Sequence, residues 1–378
     1  MLAIRRLTLT DFRNYAALSW QPGARICVVT GPNGSGKTNL LEAVSLLSPG
    51  RGLRSARIAA LARQAAPGDA IPPTGRWAVA ARLQNGETPP FDLGTGTLGD
   101  GPPDRRAFRL DGAEPKNQAE IAARISTIWL TPQMDGLFQE SASGRRRFLD
   151  RLVWALEPDH ARQAAAFDTA MASRNRLLAG RVADPAWLAG LEESMARHAV
   201  ALAAARAAFI KRLNSAPLPY AAFPRAELHL IDPIAARLAE MPALSVETWL
   251  RETLAEKRAV DAAAGGATIG AHRADLAMHD AATGLPAAQA STGQQKALLI
   301  GIILAHATLI AEARATSPVL LLDEPLVHLD TARRAALLEA LIALPGPALL
   351  TGTDSDVFQP LRNAAAFYTA GQGHLHDG

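Results

Sequence analysis

Apolar and polar positions alternate over Ile4–Thr10, the period of a half-buried strand, and the short apolar run Arg25–Thr30, rich in β-branched residues, predicts a second strand. A helical pattern follows over Asn39–Leu47 and stops at Pro49-Gly50. Alternation returns over Arg76–Leu83 and Arg105–Leu110, with the Gly/Pro-rich stretch Asn85–Pro103 expected as an exposed loop between them, and Ile128–Leu130 is another short apolar run. Residues 141–260 are Ala-rich with apolar positions at helical spacing, for example Leu188, Leu191, Met195, Ala199 and Leu202, and are broken by Pro217, Pro219 and Pro224. No heptad is sustained and no long repeat is apparent. From about Thr268 strand and helix patterns return; Leu320–Leu322 and Ala348–Leu350 are the short apolar runs of parallel strands buried on both faces.

Between the second strand and the first helix stands Gly31-Pro32-Asn33-Gly34-Ser35-Gly36-Lys37-Thr38. Such a strand, glycine-rich turn and helix start let backbone N–H groups face phosphate oxygens, with the helix dipole adding positive potential. Lys37 is expected to bridge the β- and γ-phosphates of ATP and Thr38 to ligate Mg²⁺. The run Val319–Leu322 ends in Asp323 and Glu324, one carboxylate placed to hold Mg²⁺ and the next to orient or deprotonate a water. Ser291-Thr292-Gly293-Gln294-Gln295 precedes an apolar helix. This segment suits an anion at a helix N-terminus and is equally an ordinary capped helix start; as a functional loop it would face the γ-phosphate on a second copy of the chain. Gln133, after a short strand, is either a contact to Mg²⁺ or water or a surface turn residue. His272 and Arg273 form a loop pair with no metal partner at a ligand spacing, and a lone loop histidine is more often structural.

Lys37 and Asp323 are too far apart in sequence for one compact nucleotide-binding domain. The helical block is therefore expected as an insertion. The fold expected is α/β: a P-loop ATPase head of ABC type assembled from both chain ends (1–135 and 266–378), with an inserted mostly helical lobe (136–265).

The chain has 378 residues, 48% hydrophobic and 20% charged, enough to bury a large core in two lobes. A formal charge of +3 neither demands nor excludes nucleic acid. Arginines cluster at Arg51/Arg54/Arg57, Arg105/Arg106 and Arg145/Arg146/Arg147; each cluster suits DNA phosphates or is a solvated face or a helix-start pairing. Cys27, the single cysteine, lies in an apolar run and reads as a small core hydrophobe in a reducing, cytoplasmic protein. Ala297–Ala311, the longest apolar stretch, is interrupted by His306 and short for a bilayer, and no signal-peptide pattern follows Arg5 and Arg6, so no membrane association is expected.

In order along the chain, Leu9-Thr10-Asp11-Phe12-Arg13-Asn14-Tyr15, Gly50-Arg51-Gly52-Leu53-Arg54, Ser143-Gly144-Arg145-Arg146-Arg147-Phe148-Leu149-Asp150, Gly270–Leu276 and Ser291–Lys296 resemble segments of the RecF family, bacterial recombination-repair ATPases related to SMC heads. Departures are Ala271 and Ala274 in the His-Arg segment, Gln133 where the family often has Glu, Glu324 where many members have a second Asp, and Thr351-Gly352-Thr353-Asp354 without the histidine of transporter ATPases. The resemblance implies an ATP-dependent homodimer on double-stranded DNA near gap junctions. It implies work with RecR and RecO in loading the strand-exchange protein RecA, slow DNA-stimulated ATP hydrolysis, and a part in replication restart and the SOS response. It also implies Arg13 near the nucleotide. The motifs alone leave two other readings open, the ATPase subunit of a membrane transporter and a nucleotide-binding scaffold without productive hydrolysis. The first is opposed by the late Asp323 strand and the absent histidine, the second by Glu324.

Overall fold

The computed structural model describes residues 1–65, 73–98, 104–180, 184–217, 222–314 and 316–378. These form two compact units: Met1–Asp135 with Thr292–Gly378, and Gly136–Pro217 with Pro224–Ser291. Along the chain the first unit opens with β1 (Leu2–Phe12), β2 (Tyr15–Trp20), β3 (Ile26–Thr30) and α1 (Lys37–Ser45). It continues with β4 (Ala78–Asn85), β5 (Phe91–Thr97), β6 (Arg106–Leu110), α2 (Gln118–Arg124) and β7 (Thr127–Leu130). The second unit contains α3 (Ala142–Leu156), α4 (Asp159–Leu178), α5 (Pro185–Ser215), β8 (Ala226–Ile231), α6 (Pro233–Leu238), α7 (Ala243–Glu256), α8 (Arg258–Ala264) and β9 (Asp275–Asp280). The first unit resumes with α9 (Thr292–Arg314), β10 (Val319–Leu322), α10 (Thr331–Ala343), β11 (Ala348–Gly352), β12 (Ala365–Gly371) and β13 (His374–Asp377).

The first unit holds two sheets. One is antiparallel in the order β2-β1-β4-β5-β6; the other runs β13-β12-β3-β11-β10-β7. In the second sheet β12, β3, β11, β10 and β7 are mutually parallel. Their cores, Cys-Val-Val, Leu-Leu-Leu and Ile-Trp-Leu among them, are buried throughout, as strands covered on both faces require. The order puts β11 between β3 and β10, so the chain leaves all three at one carboxyl edge. In open parallel sheets that edge is where ligands bind. Cys27 is buried, as its apolar run implies.

The helix α9 is apolar all round, with Leu298, Leu299, Ile302 and Ile303 buried, each worth roughly 1.5–3 kcal/mol on burial. By length and composition it is long enough to cross a bilayer, longer than the apolar stretch Ala297–Ala311 suggested. Of its apolar window 78% is buried, which makes it a core helix.

Two expectations change. The stretch Asn85–Pro103 contains a strand, β5, whose Phe91, Leu93 and Thr95 are buried while Asp92 is exposed; its glycines mask that alternation in the sequence. Residues 99–103 of that stretch, like Pro219, lie outside the described residues. The helical block contains β8, and β8 pairs antiparallel with β9 from Ala226↔Asp280 to Ile231↔Asp275. That pairing draws residues 266–291 into the second unit, so the returning part of the first unit begins at Thr292, not at 266. The strand β2 falls within the N-terminal stretch of strand character and pairs with β1 through Leu7↔Trp20 to Phe12↔Tyr15. The helical spacing itself holds: Leu188, Met195, Ala199 and Leu202 are buried along α5, with Leu191 packed against the same cluster.

Candidate nucleotide-binding site

The glycine-rich turn leaves β3 and enters α1 with Gly31, Gly34 and Gly36 at φ 142°, 79° and 106°, values that L side chains rarely adopt. Pro32, Asn33 and Gly34 are exposed at the tip, while Ser35 to Lys37 turn inward. The Lys37 ammonium donates to the carbonyls of Gly31 (2.8 Å) and Pro32 (3.0 Å), spanning its own loop. The turn between β1 and β2 supports the loop from below. Tyr15 donates its hydroxyl to Gly36 O at 3.0 Å, and Asn14 Nδ2 donates to Ser35 O at 3.2 Å. A Cβ at Gly36 would stand 2.4 Å from Asn14 Nδ2 and 2.9 Å from Tyr15 Oη, so any side chain there would displace this support. The segment Phe12–Tyr15 thus has a mechanical purpose in the first unit.

Arg13 follows a different course. At φ 54° it sends Nε and Nη2 to both oxygens of Glu42 on α1, each at 2.8 Å, and Nη1 to Ala60 O at 2.9 Å. Glu42 is fully buried and also accepts from Arg54 Nη1 at 3.3 Å, while Arg54 reaches Asn39 Oδ1 at 2.6 Å. Arg13, Asn14, Asn39, Arg54 and Arg63 line a polar cavity of about 600 Å³ beside the start of α1.

At the carboxyl edge, Thr38 Oγ1 lies 3.0 Å from each carboxylate oxygen of Asp323. Asp323 is buried, and its N–H donates to Leu130 O at 2.9 Å, continuing the β10–β7 ladder. Thr351, fully buried on the intervening β11, donates its hydroxyl to Asp323 Oδ1 at 2.6 Å and accepts the N–H of Glu324 at 3.0 Å. Glu324 has φ 48° and is half-buried. Its carbonyl accepts from Lys296 Nζ at 3.2 Å. Lys296 is buried in the second turn of α9 and lies 3.7 Å from Asp135 Oδ2. Burial pulls the Lys296 ammonium down, opposed by Asp135 and Glu324; burial pushes the Asp135 carboxyl up, opposed by Lys296 and His328.

Thr38, in the first turn of α1, therefore meets Asp323 at the end of β10, with Lys37 and Glu324 next to them along the chain. Gln133 is exposed just beyond β7, whose Leu130 pairs with Leu322. Of the signature segment, Gly293 and Gln294 open α9, and Gly293 faces the loop after Glu324: a Cβ there would stand 3.1 Å from His328 O. Ser291 immediately precedes the helix and is exposed. Sequence reasoning passed over Thr351, Lys296, Asp135 and Glu42. A threonine ending a short apolar run and a lysine opening an apolar helix are the only signals they leave.

The donor set fits a magnesium nucleoside triphosphate. The Ser35 hydroxyl is buried without a hydrogen-bond partner among the described residues, inside a loop whose glycines keep the backbone bare. Thr38 and Asp323 place hard oxygen donors side by side, the ligand type Mg²⁺ takes.

Several candidate phosphate contacts are spent inside the fold. Arg106 donates to the carbonyls of Leu46, Ser48 and Gly50 just past α1. Arg145 grips Asp275 with two bonds (2.9 and 2.6 Å), and Arg146 donates to Ala274 O at 2.9 Å. Arg51, Arg57, Arg105 and Arg147 remain exposed. His272 is engaged within the fold: Nε2 meets Ala267 O at 2.8 Å, the ring stacks on Phe167, and burial lowers its pKa.

A phosphate loop, a buried Asp-Glu strand end and a helix-opening signature on one α/β unit, interrupted by a helical unit, define an ATPase head of the SMC type. The family model described as the RecF/RecN/SMC N terminal domain matches residues 3–346. The chain belongs to the RecF family. It is 44% identical over 377 residues to the DNA replication and repair protein RecF of Rhizobium etli, covering 99% of this chain and 98% of the relative. It is 45% identical to the protein of that name from Agrobacterium fabrum, with coverage of 99% and 98%. Among solved structures it is similar to that of the recombination mediator protein RecF-ATPrS in the RecFOR pathway (TM-score 0.83, 19% identity, 100% and 98% covered). It is also similar to the Smc head domain of Pyrococcus furiosus bound to the C-terminal domain of ScpA (TM-score 0.55, 16% identity, 99% and 95% covered).

Proposed function

We propose that the chain is an ATP-gated DNA-binding switch of recombinational repair and replication restart. Two copies associate around ATP on double-stranded DNA near single-strand gaps, working with RecR and RecO to load the strand-exchange recombinase, and slow DNA-stimulated hydrolysis resets them. The observation that carries the reading is the clamp on the Asp-Glu pair: Thr38 and Thr351 hold Asp323, and Thr351 with Lys296 fixes the Glu324 peptide from both sides. Names of close relatives support replication and repair as the setting.

In this reading the backbone N–H groups of Gly31–Thr38 and the Lys37 ammonium bind the triphosphate. Thr38 and Asp323 would hold Mg²⁺, which when bound neutralises charge on the β- and γ-phosphates. The Glu324 carboxylate orients a water and accepts its proton, and Gln133 helps to position that water. Arg13 holds Glu42 and so shapes the cavity beside the loop, an approach to the nucleotide that is indirect. The signature residues Ser291, Gly293 and Gln294 of one copy meet the γ-phosphate bound by the other, so that two identical half-sites, each with a phosphate loop and a signature segment, complete one another. The work is cytoplasmic and needs no membrane.

The test is DNA retention by the purified protein with ADP, ATP and a slowly hydrolysed analogue. Retention of gapped duplex only with ATP or the analogue, and weaker in high salt, is expected. Nucleotide-independent retention, or none, would overturn the reading.

A further inference from the structure

The site as described leaves Lys296 without a part in binding triphosphate or metal, yet it is placed where three loops meet. It lies one turn beyond Gly293, within the helix that opens with the signature segment. Its ammonium donates to the carbonyl of Glu324 and faces Asp135, which follows Gln133 by two residues. Asp135 Oδ1 is buried with no hydrogen-bond partner among the described residues, so Lys296 is the charge that compensates this carboxylate. His328, on the loop after Glu324, lies near enough to bias the same carboxylate, and Gly293 abuts His328 O.

The cost of this arrangement is high. The ammonium is removed from water and the carboxylate largely so, and a well-packed apolar pair of similar volume is often as stable or more so. Stability alone therefore does not account for them. What the pair does achieve is geometric. Glu324 sits at φ 48°, a conformation a non-glycine residue holds only when its surroundings fix it. Its N–H is held by Thr351 and its C=O by Lys296, so the direction of the side chain is set by two buried groups on different elements.

Resting on the reading of Glu324 as the residue that acts on water, we infer that Lys296 is a positioning residue for Glu324. It couples the seating of the signature helix and of the Gln133–Asp135 segment to the aim of that carboxylate. A shift of the α9 start on meeting a partner's nucleotide reaches Glu324 through one helical turn and one hydrogen bond. Hydrolysis is thereby made to depend on how the signature helix is seated.

The test compares Lys296→Met, the double variant Lys296→Met with Asp135→Asn, and Glu324→Gln, using Mg-ATP as the probe. Measured are phosphate release over a range of ATP concentrations, nucleotide affinity by fluorescent-analogue titration, and melting temperature. Lys296→Met leaves a largely buried carboxylate without its ammonium and is expected to melt lower; the double variant removes both charges and is expected to regain stability. At that regained stability kcat is expected to remain about 10- to 100-fold low, the scale of losses when a supporting partner of a site residue is removed, with KM and analogue affinity within about twofold. Recovery of kcat together with stability in the double variant, while Glu324→Gln abolishes release, would overturn the inference alone. Release unaffected by Glu324→Gln would overturn it together with the reading on which it rests.

Discussion

Thr38 and Asp323, 285 residues apart in sequence, share a hydroxyl–carboxylate contact of 3.0 Å to both oxygens of the acid. Thr38 opens α1 after β3 and Asp323 follows β10; Thr351, on the β11 strand that lies between β3 and β10, completes the contact with a 2.6 Å bond to Asp323 Oδ1. Replacing Thr351 by Val keeps the shape but strands the Glu324 N–H and leaves Asp323 Oδ1 with Thr38 alone among the described residues. The variant is expected to lose about 1–3 kcal/mol of stability, the cost of unsatisfied buried polar groups. Its hydrolysis should fall about 10- to 100-fold with nucleotide affinity little changed. Chemical denaturation and steady-state phosphate release check both; wild-type turnover in this variant would remove Thr351 from the site.

Glu42 is fully buried and holds Arg13 bidentately as well as Arg54. In Glu42→Ala both guanidinium groups lose their anchor beside the phosphate loop. A Tm several degrees lower is expected, with weaker ATP binding by titration calorimetry, because Asn14, which supports the phosphate loop, and Asn39 of α1 share this cavity. Arg13→Ala should reproduce the weaker binding with a smaller loss of stability, since Arg13 is partly exposed and its pairing is screened.

In the helical unit, Arg174 is completely buried and donates to Glu192 (3.0 Å), Asp261 (2.8 Å) and Leu254 O (2.6 Å). Arg174→Met leaves two buried carboxylates without it, of which Glu192 keeps a second arginine, Arg258, and Asp261 keeps, among the described residues, only neutral donors from Thr268. A loss of about 3–5 kcal/mol is expected, the usual result of breaking a buried ion pair from one side. Guanidinium unfolding curves test it, and a change below 1 kcal/mol would contradict it.

The same unit should be sensitive to acid. Arg145 holds the Asp275 carboxyl below its ordinary value by hydrogen bonding. A carboxylate with a depressed folded-state pKa stabilises above its unfolded pKa, about 3.9, and that contribution is lost as pH falls through the folded value. Stability measured between about pH 5 and pH 2 should therefore fall less steeply in Asp275→Asn than in the parent chain. Equal slopes would show that the ion pair contributes nothing to the acid limb.

How far the sequence foretold this site depended on how local each feature is. The turn Gly31–Thr38 is specified by consecutive residues between a strand and a helix, and its geometry follows from them. Asp323-Glu324 is legible as the end of an apolar strand. Thr351 and Lys296 are not, because their importance arises from neighbours brought by the strand order and by burial of α9, information no short window contains. The strand β5 was hidden by glycines at Gly94 and Gly96. The strand β8 was submerged in a helical neighbourhood, and with it the reason that residues 266–291 belong to the helical unit. The arginine clusters illustrate the converse: Arg106, Arg145 and Arg146 read as surface charge in the sequence and are consumed by carbonyls and a carboxylate in the fold.

The shared-nucleotide account is tested most directly by sedimentation velocity of Glu324→Gln at saturating Mg-ATP, with and without duplex DNA, against the same protein in ADP. The account predicts a dimer with ATP, a monomer with ADP, and a monomer under both conditions when Ser291→Arg is added, although that variant still binds ATP. A chain that stays monomeric with ATP and DNA together, or a Ser291→Arg variant that dimerises as well as its parent, would contradict it.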